Sequence, residues 1–450
     1  MKRKITEYLI KWRKNPLKLP LVIKGARQVG KTYAIREFAK ENYAPSRYIE
    51  INFEKDPDMA RFFEGSKDYS SIMSRISSSI SFKNIDFRED SNHPILLFLD
   101  EIQKCPNAIT ALKFLAEARD ECHVIASGSL LGLYLSDKVS YPVGYVEHLT
   151  MFPFDFEEFM WAMGYSEQYV NRLIDLILVD NFSAKIDKVT HQELSDLFHK
   201  YIVIGGLPAA INSFLSTKTY PEVMKTLKNL YDSYIIDMQK YTKPAGDKVK
   251  VIKCFESIPN QLKQQNKKFK YSLVDKKARS REYVGVIEWL LLAGLVIKCE
   301  NLKTLNEPIE TYIDKEYFKL FFFDTGILLS IMNQDDYYAI LNGTQNNEIG
   351  GIYENAVATI LNQYYYGKSL MYYRKSDLLE IDFVIRNRKV VIPVEVKSGN
   401  NLSSASLSKV SANKSVVCLR VSNKLVEEND IIKNMPFYMF ALMCRNQQYR

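Results

Sequence analysis

The sequence is short of the features that mark specialised classes of protein. Its six cysteines, Cys105, Cys122, Cys254, Cys299, Cys418 and Cys444, are scattered over 450 residues without a CxxC pair or a nearby histidine cluster. That spacing excludes a disulfide framework and a zinc site. No run approaches the roughly 18 apolar residues that a membrane-spanning helix needs. The most apolar candidate, "VGVIEWLLLAGLVI" (284–297), is shorter and is interrupted by Glu288. The N-terminus "MKRKITEYLIKWRKNPLKLP" carries charges throughout and so lacks the apolar segment of a signal peptide. There is no internal repeat and no low-complexity tract. These absences lead us to expect a soluble, reducing, cytoplasmic protein without a membrane partner.

Hydrophobic content of 46% and charged content of 25% are those of an ordinary globular chain. At roughly 150 residues per domain, the length suggests about three modules. The net charge of +8, from 61 Lys and Arg against 53 Asp and Glu, is mild. It permits a local nucleic-acid-binding patch without demanding one.

The clearest chemical signal is "LPLVIKGARQVGKTYAIREF" (19–38). A short apolar run ends in glycine, and apolar residues then recur at helical spacing from 31 to 42. Between them Gly25, Ala26, Arg27, Gln28, Val29, Gly30, Lys31 and Thr32 fit GxxxxGK[ST] at every fixed position, with Tyr33 following. In such a P-loop the backbone N–H groups curl around phosphates, the lysine reaches the β and γ oxygens, and the threonine hydroxyl serves Mg²⁺. The start of the helix adds its positive dipole end. "YIEINF" (48–53) alternates as a strand does. "HPILLFLDE" (93–101) and "ECHVIASGS" (121–129) are continuous apolar runs of the kind buried on both faces, with a helical stretch at 107–119 between them. Strands alternating with helices predict a doubly wound parallel sheet. Asp100 would then reach the metal and Glu101 the attacking water. Ser127 and Ser129 stand where a hydroxyl could orient that water, Ser129 being the better placed, although serines are also common in strand-to-helix turns.

From about 165 to 245 the pattern is helical. Three helices, the second at "SLVDKKA", then lead into the extended segments "VIKC" and "KLFFF", the order of a winged helix. Its basic residues Lys267, Lys268, Lys270, Lys276, Lys277, Arg279 and Arg281 could contact DNA phosphates, as could Arg374 and Lys375 further on. A solvated basic face on a protein-interaction module would look the same. In "EIDFVIRNRKVVIPVEVKSG", Glu395 and Lys397 share a strand face, and Asp382 lies thirteen positions before Glu395, enough for a hairpin turning at Arg386–Lys389. Two carboxylates and a lysine suit Mg²⁺-assisted phosphodiester cleavage, with Asp382 and Glu395 as metal ligands. Glu354 is a further acid, placed on the apolar stripe of its own helix. The alternative is a set of salt-bridged strand charges with no catalytic role.

Several segments, "KGARQVGKT", "LFLDEIQ", "ASGS", "YPVGYVEHLTMFPFDFEEFM", "GGLP", "FFFDTGIL", "GGIYENAVATIL", "EIDFVI" and "VEVKSG", resemble in order those of the prokaryotic AAA-type ATPases with a C-terminal domain of unknown function, DUF4143. The last segments also resemble the PD-(D/E)xK nucleases, with Glu354, Asp382, Glu395 and Lys397 in the motif positions and Ile381 where a proline is usual. The resemblance implies an α/β chain of four parts: a P-loop AAA-type parallel-sheet domain (1–165), a helical lid (166–247), a winged-helix domain (248–345) and a restriction-endonuclease-like α/β domain (346–450). It implies ATP and Mg²⁺ as cofactors and DNA as a partner. Where the family carries arginine after its "PVG" segment this sequence has Tyr145, and a nucleotide-dependent homo-oligomer would be one source of the missing arginine. Two functions stand side by side: an ATPase coupled to a DNA nuclease, and an ATP-driven switch whose C-terminal domain binds DNA or protein without cutting it.

Overall fold

Five short runs in the first third of the chain become one parallel sheet in the computed structural model. The model describes residues 1–88, 90, 92–129, 142–179, 186–241, 245–343, 349–376, 379–387, 390–399, 403–414, 417–425, 432–445 and 448–449. The strands are β1 (Leu21–Lys24), β2 (Tyr48–Asn52), β3 (Ile95–Asp100), β4 (Cys122–Gly128) and β5 (Glu147–Thr150), in the order β2-β3-β4-β1-β5. β3 is buried along its whole length, as its unbroken apolar run requires. Ile95, Leu97 and Leu99 share a core with Ile49 and Ile51 of β2, and with Ile72 and Leu112 from helices α3 (Tyr69–Ser77) and α4 (Pro106–Leu115). Each such side chain contributes about 1.5–3 kcal/mol by leaving water. β2 lies at the sheet edge and alternates: Ile49 and Ile51 point inward, while Glu50 meets Arg36 of α2 (Lys31–Asn42) at 2.6 Å. Helix α1 (Ile5–Lys14) buries Ile5, Leu9 and Trp12, the residues whose spacing identified it. These elements belong to a compact unit formed by Lys2–Phe152 with the C-terminal tip.

Pro153–Gln448 form a second unit. It begins with helices α5 (Phe156–Ala162), α6 (Glu167–Val179), α7 (Lys188–Ile204), α8 (Pro208–Thr217), α9 (Tyr220–Tyr241) and α10 (Ala245–Leu262). Helix α11 (Ser280–Leu292) leads into an antiparallel pair, β6 (Val296–Leu302) and β7 (Ile313–Phe322). The helix expected at "SLVDKKA" is a single 3₁₀ turn, Tyr271–Leu273. The side chain of Asp275 accepts from the Lys277 N–H and from the Lys253 ammonium, an aspartate turn that competes with helical hydrogen bonding.

Helices α12 (Thr325–Ser330), α13 (Gln334–Leu341) and α14 (Gly350–Tyr364) follow, then β8 (Leu370–Ser376), β9 (Leu379–Ile381), β10 (Phe383–Asn387) and β11 (Val390–Val396). The chain continues through α15 (Ala405–Lys414), β12 (Cys418–Ser422), β13 (Ile432–Pro436) and α16 (Phe437–Met443). Two four-stranded sheets result, β7-β6-β8-β9 and β10-β11-β12-β13. The first unites strands from either side of residue 345, since β6 pairs in parallel with β8. Helix α14 packs on β6, β7, β8 and β11 and is buried from Gly351 to Leu361, its polar residues Glu354 and Asn355 included. No helix among the described residues is long and apolar enough to cross a membrane.

Candidate functional site

The glycine-rich loop lies between β1 and α2. Gly25 has φ 152°, and a Cβ there would come within 2.2 Å of the Met151 carbonyl oxygen, so the loop can pass only as glycine. Gln28 (φ 67°) and Gly30 (φ 97°) are left-handed, the backbone pattern that turns neighbouring N–H groups into an anion nest. Ala26 and Val29 are buried beneath the loop and Tyr33 is exposed. The guanidinium of Arg3 donates to Val29 O at 2.9 Å and to Phe152 O at 2.8 Å. Sequence reading missed that brace, because Arg3 is indistinguishable from its basic neighbours.

Lys31 is 7% exposed, and its ammonium donates to two neutral carbonyls, Gly25 O at 2.9 Å and Ala26 O at 2.8 Å. Burial pushes its pKa down to about 8, against the pull of Glu101 and Asp100. A desolvated cation held by neutral groups at the mouth of an N–H nest is matched to a phosphate.

The parallel register places Asn52 beside Asp100, and the two carboxylate oxygens of Asp100 are shared among four donors. Thr32 Oγ1 reaches Oδ2 at 3.0 Å and Asn52 Nδ2 reaches it at 2.9 Å. Ser127 Oγ and, at 3.2 Å, the Glu101 N–H donate to Oδ1. A threonine hydroxyl against an aspartate carboxylate is an all-oxygen donor pair that fits Mg²⁺. Glu101 follows directly, in a left-handed conformation (φ 51°) that turns its side chain away from the strand. Its Oε2 accepts from Gln103 Nε2 and, at 3.4 Å, from Ser129 Oγ, which in turn accepts from Arg27 Nε at 3.3 Å. The strand order sets β4 between β1 and β3, which brings Ser127 and Ser129 to these acids. The roles of Asn52 and Gln103 depend on strand register and a tight turn that no periodicity discloses. Tyr145, in the position of the family's arginine, is 40% exposed, with the Lys113 ammonium 5.1 Å from its ring centroid.

In the second unit, β10 and β11 form the expected antiparallel pair, in which Phe383 faces Val394 and the Val396 N–H donates to Asp382 Oδ2 at 2.9 Å. Part of the expected turn, residues 388–389, lies outside the described residues. Glu395 and Lys397 meet at 2.7 Å, as their shared strand face requires. Two lysines that the sequence reading did not connect with these acids are also present. Lys267 lies 2.7 Å from Glu354 Oε1. Lys319 lies 2.7 Å from Glu380, 3.7 Å from Glu354 and 3.8 Å from Asp382. Burial and the neighbouring Glu354 raise the Asp382 carboxyl to about 7. Burial would also raise Glu354, but Lys267 and Lys319 outweigh it and hold that carboxyl below its ordinary range. Among the described residues no three His, Cys, Asp or Glu side chains are grouped to hold a metal ion.

Lys267 is therefore turned inward, and Lys268 lies over the Tyr317 ring at 3.4 Å. Lys270, Lys276, Lys277, Arg279 and Arg281 are exposed, as is Lys375, while Arg374 meets Glu380 at 3.3 Å.

Family models match residues 18–160 as an AAA domain, 195–338 as a domain of unknown function (DUF8612) and 349–439 as a domain of unknown function (DUF4143). No curated protein matches the sequence. Among solved structures, the chain is similar to the Walker-type ATPase of Pyrococcus abyssi at 13% identity and a TM-score of 0.43, covering 73% of this chain and 95% of that one. It is also similar to the Aeropyrum pernix ORC1 protein in complex with DNA at 12% identity and a TM-score of 0.30, covering 76% and 90%. For the Drosophila ORC bound to DNA the values are 14% and 0.27, covering 76% and 95%. With its P-loop and parallel five-stranded sheet, the segment 18–160 is an AAA domain, and the segment 349–439 is a DUF4143 domain.

Proposed function

We propose that the protein hydrolyses ATP in its first unit and uses the nucleotide state to control DNA binding by the second, with 1–165, 166–247, 248–345 and 346–450 as the functional divisions. The observation that carries the ATPase reading is the Thr32–Asp100 contact of 3.0 Å beside Glu101, at the foot of the glycine loop. Lys31 neutralises the β and γ oxygens of the bound nucleotide. Thr32 and Asp100 would hold Mg²⁺, which when bound supplies further charge neutralisation on those oxygens. Glu101 accepts a proton from the attacking water as the water oxygen bonds to the γ-phosphorus and the bond to the ADP oxygen breaks. Ser129 and Gln103 hold the Glu101 carboxylate until then. The DNA role is binding, supported by the exposed basic residues from Lys270 to Arg281 at the start of α11.

The ATPase part is tested by phosphate release. Glu101→Gln should still bind ATP while losing roughly 10²- to 10⁴-fold in turnover, the usual worth of a positioned base. Lys31→Ala should lose both. Turnover that survives in Lys31→Ala would place ATP hydrolysis elsewhere. For DNA, reversing the charge of Arg279 and Arg281 together should weaken binding to duplex and flatten its salt dependence by about one unit per lost phosphate contact. Unchanged binding by that variant would point to a protein partner for this face.

A further inference from the structure

Glu354, Glu380 and Asp382 come from α14, from β9 and from the step into β10, yet one ammonium lies against all three. Lys319 of β7 is 2.7 Å from Glu380 Oε1, 3.7 Å from Glu354 Oε2 and 3.8 Å from Asp382 Oδ1. It is 1% exposed, with the Tyr372 ring centroid 4.9 Å away. We propose that Lys319 is a resident cation standing where a divalent metal would stand among these acids, so that the cluster is a metal-free joint and not a phosphodiesterase centre.

Charge balance and oxygen use carry this. The acids are Glu354, Glu380, Asp382 and Glu395, and the cations paired with them are Lys267, Lys319, Arg374 and Lys397, four against four. Mg²⁺ would add two positive charges where each of these acids already faces a cation. Its strict demand for short oxygen contacts would also have to displace existing partners. Asp382 Oδ2 accepts from the Val396 N–H, Glu395 Oε1 holds Lys397, Glu354 Oε1 holds Lys267, and Glu380 spends one oxygen on Lys319 and the other on Arg374. Glu354 Oε2 and Glu395 Oε2 lack a hydrogen bond, but each belongs to a carboxylate whose other oxygen a lysine holds at 2.7 Å. Lys319 therefore ties β7 to α14 and to the β9–β10 strands in a fixed register. This inference holds whether or not the partner is DNA, and it does not depend on the ATPase reading.

The test is a Mn²⁺ titration of the full chain, stripped of metal and without nucleotide, followed by water-proton relaxation. The wild type should show no site that Asp382→Asn removes, and Mg²⁺ should support no nicking of supercoiled plasmid. In Lys319→Ala the vacated position should take metal, with Mn²⁺ bound at least tenfold more tightly than in the wild type and the unfolding midpoint raised by added Mn²⁺. A folded Lys319→Ala protein that gains no Mn²⁺ affinity overturns the assignment. So does a wild-type Mn²⁺ site, or a Mg²⁺-dependent nicking activity, that is lost in Asp382→Asn. If Lys319→Ala does not fold, the wild type and Asp382→Asn decide the matter alone.

Discussion

Lys31 and Lys319 are both buried lysines, and their neighbours give them opposite chemistry. Burial disfavours the charged form of each. Lys31 answers with two neutral carbonyls and more distant acids, so its pKa falls to about 8. Lys319 answers with Glu354, Glu380 and Asp382, which outweigh burial and raise its pKa above the ordinary value. The first keeps positive potential in reserve for a ligand, whereas the second spends it inside the protein. Replacing Lys319 by Met should therefore cost about 3–5 kcal/mol in urea unfolding, the usual penalty for stranding a buried partner charge. A loss below about 1 kcal/mol would mean that the acids are protonated or hydrated instead. Asp324 gives a second handle. Its carboxylate accepts from the Gly206 N–H at 2.7 Å and the Ile327 N–H at 3.1 Å, and a Cβ on Gly205 would come within 2.3 Å of its Oδ1. Burial nevertheless raises its pKa from 3.8 to about 6. The folded state then holds a proton that the unfolded chain has released, so stability from this group is full below about pH 4 and is lost as pH rises through about 6. Asp324→Asn should flatten that loss, by at most about 3 kcal/mol. A pH profile of urea midpoints identical to the wild type between pH 4 and 7 would rule this out.

At the scale of elements, the two ends of the chain were legible to different degrees. The P-loop, β3 and β4 were readable because a short loop, one helix and continuous apolar strands are specified locally. Their register was not, and that is why Asn52 and Gln103 emerged only when neighbouring strands were aligned on Asp100 and Glu101. In the C-terminal strands alternation sets Glu395 beside Lys397, and the hairpin sets Asp382 against the Val396 N–H. What the pattern could not show was a lysine from a strand more than sixty residues upstream in sequence, because "YFKLFFF" reads as apolar with one solvated charge. Helix α14 is where these strands are held. Asn355 donates to Phe322 O at 3.1 Å and accepts from the Phe322 N–H at 2.7 Å, a paired amide clasp on the end of β7. Asn355→Ala should leave two buried backbone groups unsatisfied, at about 1–3 kcal/mol each. Hydrogen exchange should show the loss first at Phe322. A variant as stable as the wild type would show that water or a backbone shift replaces the clasp.

At the scale of the whole molecule, the polypeptide passes from one unit to the other at Phe152–Pro153, and both sides of that bond are tied to functional backbone. On the nucleotide side, the Met151 N–H donates to Lys24 O at 2.8 Å, Gly25 abuts Met151, and Arg3 bridges Val29 O and Phe152 O. Across the peptide bond, the Phe154 N–H donates to Gly206 O at 2.7 Å and Tyr201 OH donates to Phe154 O at 2.9 Å. A change at the glycine loop on ATP binding would have this peptide bond as a covalent route to the residues that hold "GGLP". If that route operates, ATP binding should slow hydrogen exchange at residues 201–206, and Arg3→Ala should weaken the effect. Loss of its charged hydrogen bond, about 1.5–3 kcal/mol, should also raise the apparent Kd for ATP by roughly tenfold or more. Slowed exchange at 201–206 that persists in full in Arg3→Ala would assign the coupling to another path, and exchange there that ignores ATP altogether would separate the ATPase from the second unit.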